Sequence, residues 1–165
     1  MIVHGSLTAF INLIAQKTVE GDVVGTFPVP ISKSQTFAYG RGAEQMDELL
    51  MSRDNAISAS STESFDVVSG LTNVMGEAVV MTRIKGLYLA NISGNGAALR
   101  LAVTNADIFD DPTTAILIVP DGGVCAWSAP VAVGPGSITG AAEVRISNPG
   151  GNDGIYDLVI FGRKV

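Results

Sequence analysis

The chain has 165 residues, enough for one hydrophobic core and short for two. Apolar residues reach 47% but charged ones only 16%, against about 25% in an average soluble domain, and the net charge is −6 with no run of Lys or Arg. These values argue against a groove that tracks phosphates, and so against nucleic acid as a partner; they describe a surface short of charge, part of which is expected to be covered by other protein.

Gly and Pro clusters cut the chain into short runs rich in Val, Ile, Thr and aromatics, the pattern of many strands. Residues 1–16 carry no basic group before Lys17, include Asn12 and are too short to span a bilayer, so neither a signal peptide nor a membrane anchor is expected. Leu7, Phe10, Ile11 and Ile14 fit a helical stripe, yet no N-cap with an acidic first turn accompanies them, and a strand is expected. Phe27, Pro28 and Pro30 mark an edge strand or extended arm over residues 1–31, because proline cannot donate to a ladder. Such an arm would pack on a neighbouring subunit. Residues 42–52 place Met46, Leu49 and Leu50 at helical spacing, with Glu44, Asp47 and Glu48 near the start, and predict a short helix; 71–76 predict one helical turn.

Strands are expected over 62–68, 97–104, 124–129 and 142–147. Residues 78–93 alternate throughout, and a bend near Gly86 would let one long strand serve two sheets. The run Ala115-Ile116-Leu117-Ile118-Val119 before Pro120 predicts a strand buried on both faces. In 155–161, Ile155, Asp157, Val159 and Phe161 alternate with Tyr156, Leu158 and Ile160, so both faces are largely apolar and the strand is expected to be central. Turns fall at Gly94-Asn95-Gly96, Asp121-Gly122-Gly123, Gly134-Pro135-Gly136 and 148–154. The fold expected is an all-β antiparallel sandwich, jelly-roll-like, over 32–165, with the arm and at most one or two short helices.

Chemistry is sparse. The single histidine, His4, lies at the start of the chain, where a fixed general base is not expected, and without it no Ser-His or Cys-His relay can be built. Cys125, alone and flanked by Val124, Ala126 and Trp127, reads as a small buried hydrophobe in a reducing compartment. Gly94-Asn95-Gly96 matches the first half of a dinucleotide fingerprint but lacks the third glycine, and reads as a hairpin turn. Asp107, Asp110 and Asp111 before Pro112 could chelate Ca²⁺ or solvate a bend. The stretch 150–157 is one imperfect copy of a calcium-binding nonapeptide that needs stacked copies, and reads as a turn. Trp127 could stack on a sugar, but its neighbours favour a core or interface anchor. No catalytic, cofactor-binding or metal-binding residue is expected; the interface candidates are Phe27, Pro28, Pro30 and Trp127.

The stretch Ala59-Ser60-Ser61-Thr62-Glu63-Ser64-Phe65-Asp66-Val67-Val68-Ser69-Gly70-Leu71-Thr72-Asn73-Val74-Met75-Gly76-Glu77-Ala78-Val79, followed by Arg83-Ile84-Lys85-Gly86-Leu87-Tyr88, resembles a family of small structural proteins of tailed-bacteriophage virions. The C-terminal half is similar too: an apolar strand, the turn Pro120-Asp121-Gly122-Gly123, an aromatic strand carrying Trp127, and an Asn-x-Gly-Gly turn leading into Tyr156-Asp157-Leu158-Val159-Ile160-Phe161-Gly162. The likeness covers about residues 32–165 and consists of turn-and-strand patterns. It implies a non-enzymatic β-sandwich of the virion, a capsid decoration or cement protein forming a homo-oligomer, a trimer, on the major capsid protein, with no cofactor. A host-glycan-binding module and a head–tail or tail component are the competing readings.

Overall fold

Alternation with period two governs the chain throughout. The computed structural model describes residues 5–19, 22–39, 45–69, 71–72, 76–106, 108, 116–129 and 137–164, and all regular structure among them is β-strand. The strands are β1 (Gly5–Val19), β2 (Asp22–Tyr39), β3 (Gln45–Met46), β4 (Glu48–Ile57), β5 (Ser61–Asp66), β6 (Leu71–Thr72), β7 (Ala78–Val79), β8 (Arg83–Asn91), β9 (Leu99–Ala106), β10 (Ile116–Val119), β11 (Val124–Ser128), β12 (Ile138–Asn148) and β13 (Gly154–Arg163). The body is two four-stranded antiparallel sheets, ordered β10-β9-β12-β5 and β11-β8-β13-β4. Numbering those eight strands in chain order turns the two sheets into 2-7-4-5 and 1-8-3-6. That is the double Greek key of a jelly roll, so the expected all-β sandwich is the fold observed.

The core lies between the sheets, where alternate residues of each strand meet. Leu87 and Leu89 of β8 and Tyr156, Leu158 and Ile160 of β13 face Leu99, Leu101 and Val103 of β9 and Ala142, Val144 and Ile146 of β12, all buried. A polar link lies within this core. The Tyr156 hydroxyl donates to the Glu63 carboxylate of β5 in the opposite sheet. Burial first, and the carboxylate second, hold the phenol above its ordinary range.

Four expectations are corrected. The helix over 42–52 is absent among its described residues: Met46, Glu48 and Leu50 are buried in alternation, and β4 pairs along β13, so sheet pairing overrides the local helical spacing. In 71–76, Leu71 and Thr72 form a ladder with Val79 and Ala78 in place of a helical turn. The strand over 78–93 is broken between β7 and β8, and β8 serves one sheet, its ladder with β13 shifting register beside Gly86, where a Cβ would collide with the Phe161 ring. Finally β10 is an edge strand, with Ile116, Leu117 and Ile118 exposed and Val119 alone buried.

Close packing against backbone makes Gly162 irreplaceable. An added Cβ would strike the Arg83 carbonyl oxygen and the Met81 sulfur, whereas one at Gly151 meets nothing within 4 Å. Gly162→Ala is therefore expected to lose about 1–3 kcal/mol in urea unfolding, and Gly151→Ala to stay within about 0.5 kcal/mol of the parent; equal losses would contradict this packing. The Tyr156 pair gives a pH signature. Its folded-state pKa is raised above the ordinary value of 10.0, so its contribution is complete below that pH and is lost as pH rises above it. The stability gap between the parent and Tyr156→Phe, about 1–2 kcal/mol at neutral pH, should shrink in unfolding curves taken above pH 10.

Candidate functional site

The two outer faces of the sandwich differ in chemistry. On the β10-β9-β12-β5 sheet the outward residues of β9, β12 and β5 are largely polar: Arg100 and Thr104, Glu143, Arg145 and Ser147, Thr62 and Ser64, with Arg145 paired to Glu143 at 2.7 Å, while edge strand β10 adds exposed Ile116 and Ile118. On the other sheet they are apolar. The register aligns Ala126, Tyr88, Val159 and Met51 in one row across all four strands, and Ser128, Gly86, Phe161 and Leu49 in the next. Asp157 supplies a charge at one corner, where Arg53 lies 4.0 Å away and the Asp54 amide donates to it at 2.8 Å.

Part of this face is already covered. Phe37 of β2 lies edge-on to Phe161, with ring centroids 4.8 Å apart, and Met46 closes the same small cluster, against which Leu49 and Val159 pack. Gly86 beneath leaves the space the Phe161 ring occupies. The cover stops there. Along the next row Val159 and Tyr88 are half-buried, Ala126 is exposed and Met51 is 41% exposed. At one flank the surface continues with Val124 on the edge strand β11, 65% exposed.

The cover comes from a β-ribbon. β1 and β2 pair from Gly5↔Phe37 to Val19↔Asp22, with a register shift after Lys17, over about 50 Å at the usual rise per residue. The register pairs Leu7 with Gln35, Ala9 with Lys33, Ile11 with Ile31, Leu13 with Val29 and Ala15 with Phe27. The ribbon joins the body where Ala38 and Tyr39 pair parallel to Gln45 and Met46. Among the described strands, β1 pairs with β2 alone.

Of the interface candidates, Phe27 stands opposite Ala15, while Pro28 and Pro30 stand opposite Ile14 and Asn12. The two prolines share parity, so the donors they lack belong to one edge of β2. Position 31 falls inside β2. Trp127 is elsewhere: it pairs with Leu87 in β11 and packs, half-buried, on the core beside Cys125. Burial pushes the Cys125 thiol up. Phe37, Met46, Met51 and Val159 carry the surface without having been singled out from sequence; the apolar double alternation of 155–161 was the available signal.

At the opposite pole the turns satisfy one another. Asp121 accepts the Gly94 and Gly96 amides at 2.7 Å each, which holds its carboxyl below the usual range. Gly94 and Gly96 have φ of 69° and 81°, conformations that suit glycine. Asn95 donates to the Asp153 carbonyl, Asn152 donates to the Asn95 carbonyl, and Asp153 accepts the Ala59 amide. The segment compared with a calcium nonapeptide is thus engaged in turn-to-turn bonds. Among the described residues no group of three or more His, Cys, Asp or Glu comes together. His4, Asp107, Asp110, Asp111 and the Gly134–Gly136 turn lie outside the described residues.

A scan against protein-family models finds no match for the chain, and a search of curated proteins finds none either.

The Asp121 contacts make an acid-linked prediction. Because the folded-state pKa is lowered from 3.8, the stabilisation is present above that value and lost as pH falls through the folded one. Asp121→Asn should melt below the parent at pH 7 and converge on it in strong acid, in thermal scans from pH 2 to 7.

Proposed function

We propose that this chain is a non-enzymatic virion structural protein, a decoration or cement protein that self-associates, as a trimer, on the outside of a phage head and reinforces the major capsid protein. The observation that carries the reading is the apolar outer face of the β11-β8-β13-β4 sheet, half covered by its own ribbon and otherwise open. A monomer living alone in water does not leave a sheet face of this kind uncovered. Three further features support it. The jelly roll recurs in capsid proteins, although by itself it fixes no role. Charged residues are only 16% of the chain, which suits extensive contact. The turn-and-strand pattern over 32–165 resembles virion structural proteins.

The test is binding to a shell. Purified protein added to expanded phage capsids that lack it should co-sediment at saturable stoichiometry and raise the temperature at which the particles break. Val159→Lys, which puts a charge in the middle of the apolar face, should lower the bound amount at least tenfold. A chain that neither co-sediments nor self-associates would refute the reading.

A further inference from the structure

We propose that Asn95-Gly96 is a self-modification site, a deamidation centre that the closed turn pole of the sandwich holds unreactive and that reacts, irreversibly, in chains whose pole has opened. The site stands apart from the apolar face and does not depend on the virion reading.

The chemistry is intrinsic to the dipeptide. Once the Gly96 amide nitrogen has given its proton to a base, it attacks Cγ of Asn95. A C–N bond closes a five-membered succinimide, the Cγ–Nδ2 bond breaks, and ammonia leaves carrying the proton that the base took. A water molecule then opens the ring at either carbonyl, giving aspartate or, with one methylene more in the main chain, isoaspartate. Glycine in the second position has no side chain to hinder the attack, and the chain contains one Asn-Gly, at 95–96.

In the folded chain each atom on that path is engaged. The attacking nitrogen of Gly96 donates to the Asp121 carboxylate at 2.7 Å. A carboxylate so close opposes a second negative charge, and the nitrogen keeps its proton. The leaving nitrogen, Nδ2 of Asn95, donates to the Asp153 carbonyl at 2.7 Å, and Oδ1 accepts the Ala97 amide at 3.1 Å, so the carboxamide is held at both ends. The Asn95 carbonyl accepts from Asn152, which pins the loop to the 148–154 turn. Gly94 supplies the second amide of the Asp121 clamp, and positive φ at Gly94 and Gly96 aims both amides at one carboxylate. Asn95 and Gly96 are exposed to solvent. Base and water therefore reach them, and bonding rather than burial is the guard.

The product does not fit back into the same pole. Its carboxylate would stand where Nδ2 now donates, setting an acceptor against the Asp153 carbonyl oxygen on the loop that Asp121 clamps. The extra methylene of isoaspartate would also carry the Gly96 amide off Asp121. Opening need not be global, because bonds between exposed turns break before core strands separate.

The test follows the full chain at mildly alkaline pH, native and in unfolding concentrations of urea, with tandem mass spectrometry of tryptic peptide 86–100 reading amide-to-acid conversion at Asn95. Conversion should be slower in the native chain by about tenfold or more; equal rates would overturn the proposal. Asp121→Ala, its β-sheet spectrum verified by circular dichroism, should convert about fivefold or more faster than the native parent. A folded Asp121→Ala that converts no faster would overturn the guard. Should that variant fail to fold, Asp121→Asn, which keeps an acceptor and drops the charge, takes its place with the same two outcomes. Asn95→Asp carries the charge of the product and should melt below the parent at pH 7, whereas an unchanged melting temperature would overturn the irreversible step.

Discussion

A strand with hydrophobic side chains on both faces has to be covered twice, and β13 is that strand. Tyr156, Leu158 and Ile160 point into the core, while Ile155, Val159 and Phe161 point out of it. The first cover is the opposing sheet, which closes the jelly roll. The second starts with Phe37 and Met46, and it accounts for features that otherwise have no common cause. Gly86 is bare because the Phe161 ring lies over it, Met46 is buried in a two-residue strand, and β2 pairs with that strand at the same spot.

Polar groups in the interior obey the complementary constraint that a buried donor or acceptor must find a partner. Asn91, fully enclosed, donates to the carbonyls of Ala97 and Val119 and accepts from Ser93, tying together the ends of three strands. Asn148 does the same across the sandwich, donating to the carbonyls of Ile57, Ser58 and Asn152 and accepting the Gly150 amide. These two amides turn a set of Gly-rich loops into one bonded cap. This bonded cap adjoins the Gly154 end of β13, and the Phe37–Phe161 cluster adjoins the other end.

Much of this was legible in the sequence. Alternation in 155–161 marked a central strand because period two shows directly on side-chain chemistry, and the glycines of 94–96 marked a turn because positive φ restricts residue choice. The failures share one cause. Met46, Leu49 and Leu50 satisfy helical spacing as well as strand alternation, and only pairing with a strand distant in sequence decides between them. The apolar run at 115–119 predicts a doubly buried strand, but an uninterrupted hydrophobic run looks the same when the strand lies at a sheet edge. The ribbon register, which sorts Phe27 from Pro28 and Pro30, depends on where the chain reverses, and Asp22 to Val24 give no strong hint of that.

The topology also orders events in time. Ile57 completes its ladder only with Gly154, and Ser61 only with Asn148, so neither sheet can close until the last strands have been synthesised. The ribbon, whose two strands are neighbours in sequence, is the first element able to form. Long-range pairing of this kind slows folding and prolongs exposure of sticky intermediates, so newly made chains spend a longer interval with their core strands unpaired.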